Sequence, residues 1–471
     1  MLIRQTFQYL PAQLLGPLAQ LAAIVLWTHW LAPEAFGTFT LALATQEIVY
    51  LLLLSFWSYY LLRFLPSAQA AVRARMDVIE RWLFLCNVLL QAAVLLLVMR
   101  QVQGNWPARD LFGVLLAFTF TRSYCSHLAE RTRASGAIVR YTILQTLGPV
   151  GGLLIGAIWA RMATLGPEQV LAAYAIAQGL SLLLVLPGAR LAATLKPIDT
   201  RLLQHALRYG VPLAASGLLA WFPGNGIRFV VEHQLGVAAV GVFSVGWTLG
   251  QRGCGFAAML VTAAAFPLVL RLEAEGHYHQ AMRQVALNGA LLCAVLFPTL
   301  AGLVLLAPSL TELAISAPYV SATLTILPLA ALAGTVKNLR IHFANQAFLL
   351  AQKTHWTLAL DAVETLLFLA AVAGGLRVLG LAGAAWGALL AVSVGALLAF
   401  ALAIFRFGMP FPGAHLLRIL IATALMSALL RALPSLPGWG GLIGTTALAG
   451  TLYLGALALL YRRELQALRK P

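Results

Sequence analysis

The sequence predicts an all-α integral membrane protein with about fourteen transmembrane helices. Of its 471 residues, 61% are hydrophobic and only 10% are charged, whereas a soluble domain carries about 25% charged residues on its water-facing surface. Apolar runs of about 20 residues, the length that a helix needs to cross the hydrocarbon layer, recur along the whole chain. The runs are continuous rather than alternating, which excludes the strands of a membrane barrel.

The connections between these runs alternate in character. Those after odd-numbered spans are short and poor in basic residues, such as residues 31–36, and those after even-numbered spans are longer and basic, such as residues 63–81. The predicted spans are 8–30, 38–62, 82–100, 109–129, 140–160, 169–188, 209–231, 241–268, 284–306, 321–348, 355–376, 380–404, 415–432 and 439–461.

The net charge of +16 is spread over short clusters between the spans rather than gathered in one patch. This distribution excludes a nucleic-acid surface and is typical of loops that meet anionic lipids. Of the 31 Lys and Arg residues, 23 belong to the side of the N-terminus and 6 to the other side. The bias predicts a multi-pass membrane protein with both termini in the cytoplasm.

An internal repeat divides the chain. Residues 31–40 and 235–244 share Leu, Ala, Gly and Phe at the same spacing, and these segments begin spans 2 and 8. A duplication of six spans predicts two lobes around a central cleft. We therefore expect an N-terminal six-helix lobe over 1–200, a second lobe over 201–408, and two further helices with a short cytoplasmic tail over 409–471.

Enzyme chemistry has little support in the sequence. There is no Asp-x-Asp cluster, His-Glu-x-x-His, nucleophile elbow or P-loop, and no outer loop is predicted to exceed about ten residues. The four cysteines lie in or beside apolar runs without metal-ligand spacing. We expect no catalytic residue, cofactor or bound metal, which disfavours a membrane-embedded glycosyltransferase or glycan polymerase. A purely structural scaffold is disfavoured by the charges and prolines within spans.

Three segments resemble a known family. Residues 31–40 resemble the opening signature of polysaccharide-export flippases, the Wzx-like branch of the multidrug/oligosaccharidyl-lipid/polysaccharide (MOP) exporter superfamily. Similar motifs occur at 265–267 with 271–276, and at 379–387. The resemblance covers residues 8–405. Lipid II flippases of this superfamily typically place an arginine in the first helix, and its absence from span 1 counts against that branch.

This resemblance implies a MATE-like arrangement of two six-helix lobes around a V-shaped lumen. It also implies export of an undecaprenyl-pyrophosphate-linked oligosaccharide, a polysaccharide or O-antigen repeat unit, across a bacterial inner (cytoplasmic) membrane by alternating access. The expected partners are the lipid-linked anionic glycan, membrane lipids, and a glycan polymerase with its co-polymerase. We expect a monomer that binds no nucleic acid.

Four charged residues within spans are candidates for substrate contact. Ionisable side chains at mid-bilayer are costly and usually face a wet cavity or a partner. Glu47 and Arg252 occupy nearly equivalent depths in spans 2 and 8, whereas Arg122 and Arg228 lie nearer opposite faces. Guanidinium groups bind phosphate oxygens bidentately, so a lumen containing them favours an anionic head. The alternative, an ion-coupled drug antiporter of the same superfamily, would favour a lumen with one or two acidic residues.

A second charged cluster is predicted on spans 10 and 11. Lys337 and Arg340 precede a turn near Gln352, and Asp361 and Glu364 follow it, so antiparallel packing places the two pairs level. Two interpretations stay open: an ion pair that fixes the hairpin, and a coupling site that binds a proton or Na⁺.

Aromatic residues cluster near predicted span ends. Trp27, Trp30, Trp57, Tyr59 and Tyr60 have the placement typical of interfacial aromatic belts.

Overall fold

A computed structural model describes residues 2–101, 109–186, 197–434 and 436–467. Within these ranges the chain is helical and forms no strand, which confirms the predicted fold class. The chain divides into two compact units, residues 1–241 and 242–471, and the division falls inside one long helix. The lobe boundaries expected at residues 200 and 408 stay a prediction.

The first unit contains nine helices and the start of a tenth among its described residues. They are α1 (Leu2–Trp30), α2 (Pro33–Leu53), α3 (Ser55–Phe64), α4 (Ala70–Gln101), α5 (Arg109–Ala134), α6 (Ile138–Met162), α7 (Pro167–Val185), α8 (Thr200–Trp221), α9 (Ile227–Leu235) and α10 (Val237–Ala274). A π-helical turn, Phe222–Gly226, joins α8 to α9.

The second unit continues α10 and adds eight helices within the described ranges. They are α11 (Tyr278–Leu305), α12 (Ala307–Ala314), α13 (Ala317–Leu339), α14 (Asn345–Leu350), α15 (His355–Ala401), α16 (Gly413–Ala432), α17 (Gly438–Leu460) and α18 (Arg462–Ala467). Two π-helical segments, Arg340–Ala344 and Leu402–Arg406, follow α13 and α15.

Nine helices of the described residues are long and apolar enough to cross a membrane. Large apolar side chains lie exposed on these helices, including Leu89, Leu183, Leu366 and Leu397. A surface of this kind suits lipid, because exposed apolar area is unfavourable in water. The exact number of fourteen spans stays a prediction, and the last two residues of the span expected over 169–188 lie outside the described ranges.

Helix α15 is folded back on itself at Gly380, whose φ of 57° and ψ of −140° interrupt the helical conformation. A Cβ added to Gly375 would lie 2.2 Å from the carbonyl oxygen of Gly383, and one added to Gly387 would lie 2.3 Å from that of Ala371. These pairs are centred on residue 379, so the two arms run antiparallel in close backbone contact. The turn lies where the sequence predicts a break between the spans at 355–376 and 380–404.

The two copies of the repeated segment meet where α2 and α10 begin. A Cβ on Gly37 would lie 2.0 Å from the carbonyl oxygen of Val237, and a Cβ on Gly241 would lie 1.9 Å from that of Pro33. Only glycine allows the two backbones to approach so closely. The glycine shared by both copies therefore has a packing role, and the gene duplication itself stays a prediction.

The prediction of an interfacial aromatic belt is wrong for three of its residues. Trp27 is 1% exposed, Trp57 is 0% exposed and Tyr60 is 2% exposed. Trp57 stacks on Tyr60, and the Trp27 ring packs edge-on to Tyr174. Position along a span fixes the depth of a side chain but not the face of the helix on which it lies, and these rings face the protein interior.

Candidate functional site

The first candidate site is a polar chain within the first unit. The amide nitrogen of Asn225 donates to a carboxylate oxygen of Glu47 at 2.5 Å. The amide oxygen of Asn225 accepts a hydrogen bond from the guanidinium group of Arg228. Arg228 is buried, whereas Glu47 is exposed to open space. Two residues predicted separately, Glu47 and Arg228, are therefore joined through a neutral amide.

Asn225 was not predicted from the sequence. It lies in the π-helical turn Phe222–Gly226, whose sequence is Phe-Pro-Gly-Asn-Gly. Pro and two Gly inside an apolar span favour an irregular helix, and single π turns occur frequently at functional sites. This run of helix-breaking residues is the signal that points to Asn225.

Arg122 lies half-buried on α5 of the first unit. The residues on either side of it are engaged with other helices: Ser123 accepts from Gln46 at 3.2 Å, and Thr121 donates to Gln178 at 3.0 Å. No hydrogen bond or ion pair joins the Arg122 side chain to another residue that the structure describes. Its charge is consequently available to an anion.

Arg252 lies half-buried on α10, in the second unit. The sequence places Glu47 and Arg252 at nearly equivalent depths in spans 2 and 8. The contact that the structure gives to Glu47 is Asn225. A role for Arg252 in substrate binding stays a prediction.

The second candidate site lies in the second unit and brings together Arg340, Asp361 and Glu364. Nη2 of Arg340 lies 2.5 Å from Oδ1 of Asp361, and Nε of Arg340 lies 3.2 Å from Oε2 of Glu364. The side chains of Arg340 and Glu364 are 3% and 1% exposed. One guanidinium group thus faces two carboxylates in a nearly water-free environment, where a carboxylate without a cation is strongly disfavoured.

The polar groups of this cluster are not all satisfied. Nη1 of Arg340 and Oε2 of Glu364 are buried without a well-directed hydrogen bond among the described residues. Lys337 is near enough to interact electrostatically with both carboxylates. A Cβ on Gly395, in the second arm of α15, would lie 2.6 Å from Oε2 of Glu364. The site has two cations and two anions, and Oε2 of Glu364 is ion-paired with Arg340 but receives no well-directed hydrogen bond among the described residues.

A third polar network, between α3, α4 and α5, was missed by the sequence analysis. Nδ1 of His127 lies 2.9 Å from Oγ of Ser58, and Nε2 of His127 lies 3.0 Å from Oε1 of Glu80. Arg131 pairs with Glu80 and, at 2.6 Å, with Asp77. The signal in the sequence is His127, an ionisable residue within the span predicted over 109–129, which is costly unless it pairs.

The hydrogen-bonded series Ser58–His127–Glu80 resembles the catalytic triad of a hydrolase, but its environment does not suit catalysis. Ser58 and His127 are each 1% exposed, so no substrate carbonyl reaches the hydroxyl. The Ser58 hydroxyl donates instead to the carbonyl oxygen of Leu54 at 3.1 Å. The network ties three helices together rather than activating a nucleophile.

An apolar cavity of about 560 Å³ lies between α11, α12, α16 and α17 of the second unit. Its walls include Pro298, Leu303, Met426 and Leu454. Such a cavity accommodates a hydrocarbon chain. The described residues contain no group of three or more His, Cys, Asp or Glu side chains arranged to hold a metal ion.

Comparison with a protein-family model finds a match over residues 122–324, and the family is described as polysaccharide biosynthesis protein. The comparison with curated proteins finds no match. The matched segment includes Arg122, Arg228 and Arg252. It extends from α5 in the first unit to α13 in the second.

Solved structures show the same fold. The lipid II flippase MurJ, in an inward closed conformation, aligns with a TM-score of 0.72 at 12% identity over 96% of this chain and 98% of its own. An inward-facing multidrug resistance MATE family transporter of the MOP superfamily aligns with a TM-score of 0.61 at 18% identity, over 83% of this chain and 94% of its own. The MATE transporter VcmN of Vibrio cholerae, in its bent form, gives 0.52 at 19% identity, over 87% and 98%.

These identities are too low to carry over a substrate, but they agree on the architecture. The helical fold and the apolar exterior of the described residues are consistent with these structures. The resemblance predicted from the sequence is confirmed at the level of the fold: the chain has the fold seen in MurJ and in MATE transporters of the MOP superfamily.

Proposed function

We propose that the protein exports an undecaprenyl-pyrophosphate-linked oligosaccharide, a repeat unit of a surface polysaccharide or O-antigen, across a bacterial inner membrane. The observation that carries the proposal is Arg122, a half-buried guanidinium group within the membrane that has no carboxylate partner among the described residues. A buried cation without an anion is costly and is usually retained for function. A diphosphate supplies the missing anion, because Arg binds phosphate oxygens bidentately.

Further features support a lipid-linked cargo. Arg228 and Arg252 would offer the diphosphate further sites during alternating access, and Asn225 holds the guanidinium group of Arg228 in place. The apolar cavity beside α16 and α17 would receive part of the isoprenoid tail while the head crosses. The family match to polysaccharide biosynthesis favours a glycan over other anionic heads. A glycan polymerase and its co-polymerase would then use the exported unit.

A reconstituted flipping assay tests the role of Arg122. Proteoliposomes containing a fluorescent undecaprenyl-diphosphate disaccharide are treated with a membrane-impermeant quencher, and the rate at which the inner-leaflet pool becomes accessible is measured. Loss of a charged hydrogen bond of about 1.5–3 kcal/mol corresponds to a rate at least about tenfold lower for Arg122→Ala. Arg122→Lys keeps the charge and should be intermediate.

The matched control is Arg161→Ala, which removes an exposed arginine at the end of α6. Its rate should equal that of the unmodified protein. An Arg122→Ala protein that flips the lipid normally, at equal protein levels, would remove Arg122 from the path of the cargo.

An ion-coupled antiporter of small molecules is the second candidate function. The cluster of Arg340, Asp361 and Glu364 favours ion coupling, because it buries two carboxylates and Oε2 of Glu364 is held by an ion pair without a well-directed hydrogen bond among the described residues. The two functions differ in cargo charge, since cationic drugs require acidic side chains and a diphosphate requires basic ones. Efflux of a cationic dye, with no flipping of the lipid-linked disaccharide, would favour the antiporter.

Coupling is testable for either cargo. An imposed proton or Na⁺ gradient should accelerate transport by the unmodified protein. Asp361→Asn and Glu364→Gln variants should lose that acceleration while keeping transport without a gradient. Unchanged gradient dependence in both variants would leave the cluster with a structural role only.

A further inference from the structure

A second cavity, of about 940 Å³ and with polar walls, lies in the first unit beside Arg131 and Asp77 of the network between α3, α4 and α5. Its walls come from the segment after α3, the start of α4, the ends of α5 and α7, and the start of α6. These helix ends belong to the basic side, the side of the membrane on which the sequence places most Lys and Arg. Arg73, Arg131, Arg140 and Asp77 line the cavity, so its walls carry more positive than negative charge.

The floor of this cavity is rigidly built. Arg131 is held by Asp77 at 2.6 Å and by Glu80, and Glu80 also accepts from the buried His127. The side chains of Glu80 and His127 are 4% and 1% exposed. Two carboxylates compensate the charge of Arg131, so its guanidinium group forms part of the cavity wall without a net charge to offer a ligand.

The rim of the cavity carries two further arginines. Arg73 and Arg140 are exposed at the start of α4 and of α6. The acceptor of Arg73 is a carbonyl oxygen, that of Pro66 at 3.3 Å, which leaves its charge uncompensated. By contrast, the neighbouring Arg75 pairs with Asp199 at 3.0 Å and does not line the cavity. The backbone amide of Leu202 and Arg75 together hold the pKa of Asp199 below its usual range, which keeps that pair charged.

The remaining wall is apolar and includes Leu65, Leu128 and Val185. If a free inorganic anion were bound, this apolar wall would stay exposed to water, whereas the glycerol and acyl chains attached to a lipid phosphate would cover it. We propose that this cavity binds the phosphate group of an anionic phospholipid from the leaflet on the basic side, with Arg73 and Arg140 as its ligands. None of the residues proposed to contact the cargo lines this cavity, so the lipid site can be tested independently of the transported substrate.

The probe is phosphatidylglycerol. The full chain is reconstituted in nanodiscs of phosphatidylcholine with a small fraction of phosphatidylglycerol, and native mass spectrometry measures how many phosphatidylglycerol molecules the protein retains on release. Each arginine near a lipid surface contributes about 1 kcal/mol, so the Arg73→Ala/Arg140→Ala protein should bind roughly thirty-fold more weakly and lose one retained lipid.

The matched control is Arg208→Ala/Arg283→Ala, which removes two exposed arginines that do not line the cavity. It should retain the same number of lipids as the unmodified protein. An Arg73→Lys/Arg140→Lys protein keeps the charge and should retain most of the binding. That result would show that the alanine protein loses lipid because it loses charge and not because it misfolds.

A soluble arm distinguishes the source of the phosphate. Sodium pyrophosphate is titrated by calorimetry into the protein in pure phosphatidylcholine nanodiscs. Phosphatidylglycerol retention that depends on Arg73 and Arg140, with weak pyrophosphate binding, supports the lipid site. Tight pyrophosphate binding without lipid retention overturns the lipid assignment, and equal lipid retention by the two alanine proteins overturns the site altogether.

Discussion

At the scale of single residues, Arg340 has the most demanding environment among the predicted site residues. Its side chain is 3% exposed and faces both Asp361 and Glu364. Removing one partner from a buried ion cluster typically costs about 3–5 kcal/mol, because an uncompensated charge stays behind. We therefore expect Arg340→Met to lower the thermal unfolding temperature of the detergent-purified protein markedly, as followed by loss of the monodisperse chromatographic peak after heating.

The decisive control for this prediction neutralises the whole cluster. A protein carrying Lys337→Met, Arg340→Met, Asp361→Asn and Glu364→Gln has no charge at these four positions, so most of the lost stability should return. If the quadruple variant is as unstable as Arg340→Met alone, the packing of the guanidinium group, and not its charge, holds the hairpin.

The site residues that could be predicted from the sequence are charged, whereas the position of Asn225 and the burial of Trp57 could not be predicted from charge. A charge in an apolar run is conspicuous, and a turn near Gln352 is enough to place Arg340 level with Glu364. Asn225 is neutral and short, so its bridging position depends on an irregular turn that no charge pattern reveals. The burial of Trp57 depends on helix rotation, which depth along a span does not determine.

At the scale of elements, the fold of α15 depends on Gly380. Its φ of 57° and ψ of −140° lie in a region that residues with a Cβ avoid. We expect Gly380→Ala to destabilise the protein by about 1–3 kcal/mol, because it strains the turn that sets the two arms side by side. Thermal unfolding in detergent measures the effect.

Gly374→Ala is the matched control for this turn. Gly374 lies in the first arm of α15 with no atom within 4 Å of an added Cβ. Alanine there should be neutral or should stabilise the helix by up to about 1 kcal/mol. Equal stability of the two variants would mean that the turn adopts another conformation.

The crossing of α2 and α10 depends on two glycines in the same way. An added Cβ at Gly37 or Gly241 would lie 2.0 or 1.9 Å from a backbone carbonyl oxygen, which cannot move aside as a flexible side chain can. We expect Gly37→Ala and Gly241→Ala each to cost about 1–3 kcal/mol of stability through overpacking. Gly179→Ala on α7, where an added Cβ meets no atom within 4 Å, should have no such effect.

Gly37 and Gly241 also show how much of the structure the sequence repeat predicts. The shared Leu, Ala, Gly and Phe spacing aligns residues 31–40 with 235–244, and the two segments contact each other. Their contact could not be predicted, because a repeat aligns two elements in sequence without specifying which faces pack. Close backbone approach is a tertiary property that only the glycine itself suggests.

At the scale of the whole molecule, composition alone is enough to predict the fold class. Long apolar runs must become helices in lipid, since no other open structure satisfies the backbone there. The span count is harder, because charged residues such as Arg122 and kinked segments such as Phe222–Gly226 interrupt apolar windows. Nine helices among the described residues meet length and hydropathy limits, and one of them, His355–Arg406, contains both arms of α15.

The orientation of the protein rests on its charge bias and can be measured directly. Ser67, in the connection between α3 and α4, should lie in the cytoplasm, and Thr164, between α6 and α7, should lie outside. Both residues are exposed. Single cysteines are introduced as Ser67→Cys and Thr164→Cys after the four native cysteines have been replaced by alanine. In intact spheroplasts, a membrane-impermeant maleimide should label the Thr164→Cys protein only.

Permeabilised cells supply the control, since both cysteines should then react to the same extent. The expected difference has a physical basis, because retaining Lys and Arg on the cytoplasmic side during insertion is favoured over moving them across the bilayer. The reverse pattern would place both termini outside. Arg73 and Arg140 would then face the outer leaflet, and the anionic phospholipid proposed to bind them would have to come from that leaflet instead of the cytoplasmic one.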